Sequence, residues 1–194
     1  MAMVMAMVME MSMATMENIR AKVDWFPIRV TYSRELKFQK LLQDRGFETF
    51  IPMCVKILDK DGKKKESITV PAISNLCFVK ASRAELDDLI RGAETGSIAR
   101  YMWNPVTRNP LIVPEKQMDD FIRVSSTMSD DLVYMSQVDA RLKAGQKVRV
   151  RTGPFAGVEG VIVRVKRSRR VMVELPGMLA VATGYIPEQD LEKL

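Results

Sequence analysis

At 194 residues the chain is long enough for one medium domain or two small ones, and its 47% hydrophobic content can supply a core. A net charge of +6 suits a polyanionic partner without requiring one. The absence of histidine removes the commonest general base, the commonest zinc ligand and the usual pH switch together.

Cys54 and Cys77 form no C-x-x-C pair, so two buried, reduced thiols in a cytoplasmic protein are expected. The Met-rich start, residues 1–23, lacks a positive leading region, and Glu10 stops its apolar run too early for a membrane span. It reads as a flexible extension with several translation starts, Met16 among them. No later stretch is apolar for long enough to cross a bilayer, and no membrane association is expected.

Trp25 to Val30 reads as an interior strand. Ser33 is placed to cap a helix from Arg34 to Arg45, ended by Gly46, with Leu36, Phe38, Leu41 and Leu42 on its buried side. One long strand is expected over Phe47–Leu58, a charged turn over residues 59–65, and a second strand over Glu66–Lys80 broken at Pro71. Ser82 and Glu85 have capping-box spacing at the head of a helix that Gly92 closes. Short strands over Ile98–Trp103 and Leu111–Val113 flank a turn at 104–110, and Pro114 opens a third helix to about Val124. This order describes an α+β domain, an antiparallel sheet with helices, over residues 24–124. A Ser- and Asp-containing stretch, 125–141, reads as a linker to a small all-β domain over 142–194.

Within that last domain, Lys147–Arg151 and Val161–Val165 alternate in polarity around a loop holding Gly153, Pro154, Phe155, Gly157 and Gly160. The run G-P-F-x-G-x-x-G with its flanking strands resembles the KOW motif shared by NusG transcription factors and some ribosomal proteins. An SH3-like KOW barrel is therefore implied. Strand formers on both sides of the basic turn, with Pro176-Gly177 beyond them, argue that it stays a barrel and does not refold as helix.

An α+β domain, a linker and a KOW domain together resemble the NusG family. Trp25-Phe26, Phe50-Ile51-Pro52 and Leu111-Ile112-Val113-Pro114 anchor the N-terminal part. Where the housekeeping factor carries Phe-Pro-Gly-Tyr, this chain has Ile73-Ser74-Asn75-Leu76. That departure and the long charged hairpin make it most similar to specialised paralogs of the RfaH kind, and nearest to UpxY-type antiterminators of surface-polysaccharide operons. The departure puts in doubt the aromatic contact that the family Tyr normally makes.

The resemblance implies a monomeric, non-enzymatic elongation or antitermination factor without cofactor or metal. Its N-terminal domain would bind the clamp helices of bacterial RNA polymerase through Ile73, Leu76, Phe78 and Tyr101, with Leu76 the most exposed of them. Placement in the core of the third and fourth strands is the competing explanation for these residues.

Tyr32, Arg34 and Lys37 match the family surface facing the non-template DNA strand, a ring for a base and cations for phosphate. Arg91 and Arg100 would extend it, and a merely solvated helix face is the alternative. Arg164, Lys166, Arg167, Arg169 and Arg170 crowd the second KOW hairpin with Glu159 as the nearby counter-charge. They favour nascent RNA, DNA or an acidic protein surface, or else protect a strand edge. In the family a ribosomal small-subunit protein or the Rho terminator competes for this domain.

A ribosome- or RNA-binding KOW protein acting in translation is the rival reading, disfavoured by the preceding α+β domain. Catalysis has no foothold. Asp87-Asp88, Asp119-Asp120 and Asp130-Asp131 are adjacent pairs whose side chains diverge, and no phosphate-cradling Gly-Lys motif is present.

Overall fold

The computed structural model describes residues 22–60, 64–136, 145–165 and 167–194. Backbone contacts gather the chain into two compact units, Met1–Thr49 with Asn75–Ile112, and Phe50–Ser74 with Val113–Leu194. The expected extension, except its last two residues, and the end of the expected linker, residues 137–141, lie outside the described residues. Among the described residues no helix is long and apolar enough to cross a membrane.

The first unit is built on an antiparallel sheet of order β2-β5-β1-β6. Its strands are β1 (Val23–Val30), β2 (Glu48–Phe50, ending at the unit boundary), β5 (Leu76–Ser82) and β6 (Ala99–Tyr101). Helices α1 (Glu35–Asp44) and α2 (Arg83–Arg91) both pack on β5. Ser82 accepts from the Glu85 amide, while the Glu85 carboxylate takes the Ser82 amide at 2.7 Å, completing the expected capping box. Phe38, Leu42, Leu86 and Leu89 turn inward at helical spacing. Each such side chain contributes about 1.5–3 kcal/mol through burial.

The start of α1 differs from expectation. Ser33 is not the cap, because Tyr32 and Ser33 both adopt left-handed backbone, φ 63° and 51°, and Arg34 takes the N-cap position without a side-chain bond. Leu36 is 47% exposed, and its neighbour Glu35 is buried instead. The Glu35 carboxylate accepts the amide of Asn75 at 3.2 Å, a tertiary bond across 40 residues that turns the helix. Gly46, at φ 84°, closes the helix as expected.

In the second unit, β3 (Met53–Lys60) and β4 (Lys64–Pro71) pair in register from Met53↔Pro71 to Lys60↔Lys64 as a two-stranded ribbon. The strand expected as continuous over Phe47–Leu58 is split into β2 and β3, while the region over Glu66–Lys80 breaks at Pro71 as expected. Pro52 has no amide to continue a ladder, and its carbonyl instead accepts the Ala72 amide at 2.8 Å. Leu111–Val113 is likewise not a strand; only single bridges form there, Trp103 with Pro110 among them.

Helix α3 (Glu115–Ser125) belongs to the second unit, with a six-stranded antiparallel sheet of order β12-β8-β9-β10-β11-β7. The strands are β7 (Val133–Ser136), β8 (Lys147–Val150), β9 (Glu159–Val165), β10 (Ser168–Leu175), β11 (Leu179–Ala182) and β12 (Leu191–Lys193). Part of the stretch expected as linker therefore supplies a strand, Met135 pairing with Ala180. Met135, Val163, Val165, Met172, Ala180 and Ala182 form one core.

Helix α3 packs on β10 and β11 and grips the KOW loop by its polar side. Asp120, buried, accepts from Lys116 at 2.7 Å and from the Glu159 amide at 3.2 Å. Lys116 donates to the Gly157 carbonyl at 3.2 Å, and Arg123 donates to the Ala156 carbonyl. The fold class is the expected one: an α+β part with antiparallel sheet, then an all-β KOW part.

Candidate nucleic-acid and polymerase surfaces

Strand register decides which predicted residues meet. Ile28 lies opposite both Cys77 and Tyr101, while Arg29 lies opposite both Leu76 and Arg100. Cross-strand partners share a face and successive residues alternate. Tyr101 therefore stands on the helix-bearing face with Cys77, and Leu76 and Phe78 on the other.

The four residues implied as one polymerase pocket do not share one face. Leu76, expected to be exposed at a turn, is 4% exposed because it opens the central strand β5, and Phe78 is fully buried. Ile73 is half-buried.

Tyr101 is held from several sides. Its hydroxyl donates to Asp87 at 2.9 Å, and the Arg83 guanidinium lies 4.6 Å from its ring centre. Burial first, and then the Asp87 carboxylate, push the Tyr101 hydroxyl well above its ordinary pKa. Partial burial opposes ionisation of Asp87, but hydrogen bonds from Arg83 and Tyr101 hold its carboxyl below the usual range. Edge-on to Tyr101 at 6.0 Å stands Trp103, 53% exposed, with Arg83 6.0 Å from that ring as well. Composition offered no reason to single out Trp103 or Arg83; only the fold brings both to Tyr101.

Beneath this face the Cys77 thiol is pushed up to about 12 by burial, with Glu35 adding to it. Cys77 is buried as expected, whereas Cys54 is half-buried, and both are free.

The Tyr32 turn is the most exposed aromatic feature among the residues expected to meet DNA. Tyr32 is 77% exposed, and the Arg34 guanidinium lies 5.6 Å from its ring centre. Asn75, itself at φ 62°, pins this turn: its carbonyl accepts the Val30 amide at 3.0 Å and its side chain the Ser33 amide at 3.3 Å. Beside the turn, Arg34, Lys37, Lys40, Leu41, Glu94 and Ile98 help to line a groove of about 420 Å³. Arg29, which the sequence did not single out, stands exposed opposite Arg100. Arg91 is used elsewhere, donating to the Asp87 carbonyl at 3.0 Å at the end of α2.

In the KOW part, Gly153 and Gly157 occupy left-handed backbone at φ 80° and 85°. Gly160 is required for a different reason: a Cβ there would lie 2.3 Å from the Met172 carbonyl. Phe155 is half-buried and Pro154 exposed.

The basic hairpin is less uniform than its composition. Arg170 is only 7% exposed and donates inward to the Thr183 carbonyl at 3.0 Å and to that of Asp131. It is a structural cation tying β10 to its neighbours, which corrects its expected place among the free charges. Arg169 pairs with Glu188 at 2.7 Å, and Glu159 pairs with Arg149, not with the hairpin. Arg164 and Arg167 are exposed, and Lys166 lies outside the described residues. Among the described residues no group of three or more Cys, Asp or Glu is arranged to hold a metal ion.

Comparison with known families agrees with this architecture. The family model described as transcription termination factor nusG matches residues 23–122, more than half of the chain. The KOW motif model matches residues 144–174. A search of curated proteins finds no match. NusG-family proteins are non-enzymatic transcription factors that work through RNA polymerase and nucleic acid. The chain belongs to the NusG family, and is a transcription elongation or antitermination factor of the NusG–KOW type.

Proposed function

We propose that the protein rides on elongating RNA polymerase, binds the clamp helices of the largest subunit, and suppresses pausing or termination at a surface-polysaccharide operon of the UpxY type. It works in the cytoplasm as a monomer, by binding alone. Bridging across the clamp acts by differential affinity: contacts that exist only while the clamp is closed favour the closed, processive state.

Of the residues implied for polymerase contact, Ile73 and Tyr101 are the accessible ones, and Trp103 extends the Tyr101 surface. Leu76 and Phe78, buried on the other face of the sheet, serve as packing. The β3–β4 ribbon, set apart from the sheet, supports the specialised reading. The KOW domain is the part that meets Rho or a ribosomal small-subunit protein.

The observation that carries the reading is the Tyr32 turn. A left-handed, solvent-facing aromatic locked by Asn75, with Arg34, Lys37 and Lys40 beside it, has a ring for one unstacked base and cations for its phosphates. The test is binding to a reconstituted elongation complex with an exposed non-template strand, over a salt series. Replacing Arg34 and Lys37 by Ala removes about two phosphate contacts, and the slope of log affinity against log salt falls by about 1.4. An unchanged slope returns both residues to a solvated helix face.

A further inference from the structure

We infer that Glu35 and Asn75 are positioning residues for the non-template strand: they decide between two possible starts of α1 and hold Tyr32 in the one that presents its ring. This role rests on the reading of Tyr32 as a ring for one unstacked base, and it assigns the groups that set the pose of that ring.

Local chemistry favours a different start. Ser33 stands where a serine caps a helix, its side-chain oxygen taking an amide of the first turn. The fold refuses that option. Tyr32 and Ser33 sit at φ 63° and 51°, backbone that neither residue type favours, and Arg34 becomes the N-cap with no side-chain bond. Two successive disfavoured residues persist only where their surroundings hold them.

The holding groups come chiefly from Asn75. Its carbonyl accepts the Val30 amide at 3.0 Å, its side-chain oxygen accepts the Ser33 amide at 3.3 Å, and its own amide donates to Glu35 at 3.2 Å. The Thr31 amide and hydroxyl both donate to the Ile98 carbonyl, at 2.9 and 3.3 Å. Val30, Thr31, Ser33 and Glu35 are therefore all tied to neighbouring segments. Tyr32 is carried between them with its ring 77% exposed.

Glu35 in turn sets Asn75, itself left-handed at φ 62°. The Glu35 residue is 4% exposed, and its second oxygen, Oε2, is buried without a hydrogen-bond partner among the described residues. A carboxylate so poorly satisfied is a worse occupant of a buried position than an apolar side chain. Three left-handed residues and one such carboxylate thus converge on the pose of a single exposed ring. Fixing a binding group beforehand raises affinity, because the ordering cost is met before the partner arrives.

The test is a double-mutant cycle with the full chain on a reconstituted elongation complex, over a salt series. A 2-aminopurine placed in turn at each exposed non-template position reports stacking. All variants are checked by far-UV circular dichroism for unchanged fold.

Tyr32→Ala is expected to weaken binding about tenfold and to abolish the 2-aminopurine quench. Asn75→Gly keeps the left-handed backbone and both main-chain bonds but loses the hold on Ser33. It is expected to weaken binding nearly as much, with an unchanged salt slope because no cation is removed. In the Tyr32→Ala background Asn75→Gly is expected to add less than twofold. Glu35→Gln, which keeps an acceptor for the Asn75 amide, is expected to bind like the parent, and Glu35→Ala like Asn75→Gly.

Full binding by Asn75→Gly, with Tyr32→Ala still impaired, overturns the positioning role and leaves the Tyr32 contact standing. Equal losses from Asn75→Gly with and without the Tyr32 ring also overturn it, since the effect then bypasses the ring. Equal affinities of the two Glu35 variants remove Glu35 from the device. If Tyr32→Ala binds and quenches like the parent, the stacking reading fails, and the positioning role falls with it.

Discussion

Arg29 of β1 stands directly opposite Arg100 of β6, two exposed guanidinium groups on one face of a four-stranded sheet. Like charges directly across a strand pair are destabilising, by a few tenths of a kcal/mol up to about 1 kcal/mol. A stability cost held at an exposed position is what a polyanion-facing surface would carry. Arg100→Glu replaces the repulsion with an opposite-charge pair. The midpoint of urea unfolding is expected to rise by the equivalent of about 0.5 kcal/mol, while affinity for a transcription bubble falls. A variant that loses both stability and affinity would show that Arg100 is needed for folding, chiefly through its contact to the Gly96 carbonyl at 3.5 Å.

Much of this architecture is legible in the chain because local periodicity and tertiary packing agree. The Ser82–Glu85 box, the Gly46 stop, β1 and the KOW strands all follow from spacing alone. Apart from the break at Pro52, which is local, the failures come from a long-range partner outvoting a local pattern. Glu35 is buried and Leu36 is not because Asn75, 40 residues away, claims the carboxylate. Arg170 sits inside because Thr183 and Asp131 offer it carbonyls. Leu76, Phe78 and Tyr101, the residues the resemblance implies for polymerase contact, look like one apolar group until register puts them on opposite faces. Arg29 and Trp103 carry no local signal, since what marks them is their neighbours across strands.

The KOW glycines are expected to differ in cost. A Cβ at Gly153 meets nothing within 4 Å, so Gly153→Ala suffers only left-handed backbone strain, about 1–2 kcal/mol. At Gly160 the obstacle is the Met172 carbonyl at 2.3 Å, which is backbone and cannot rotate away. Gly160→Ala is expected to lose about 3 kcal/mol or more, enough to part β9 from β10. Urea unfolding of the two variants checks the order; equal losses would contradict the close-approach explanation.

Acid sensitivity is expected at the head of α2. Hydrogen bonds from the Ser82 side chain and amide lower the Glu85 pKa in the folded protein. A carboxylate whose pKa folding lowers contributes stability that is complete above its unfolded value and is lost as pH falls through the folded one. Glu85→Gln keeps an acceptor for the Ser82 amide without the charge. The variant is therefore expected to be slightly less stable than the parent at neutral pH, and the gap is expected to close below the ordinary glutamate range. A gap that widens on acidification would contradict the sign of this linkage.

Trp103 is expected to matter to polymerase binding more than the buried Leu76 and Phe78. Trp103→Ala is expected to weaken association with isolated clamp helices at least tenfold, the size usual for an exposed tryptophan at the centre of an interface. Its fold should be intact by circular dichroism, since the side chain is half in solvent already. Undiminished binding would move the contact away from the β6 edge.

The central claim is that this chain acts on elongating polymerase by binding. Single-round transcription by purified bacterial RNA polymerase, on a template carrying a defined pause and a downstream terminator, tests it most directly. Added full-length protein is expected to shorten the pause and raise read-through severalfold, and to co-migrate with the elongation complex. Arg34→Ala/Lys37→Ala is expected to remove most of that gain. Unchanged pausing and read-through, with no protein on the complex at saturating concentration, would contradict the account.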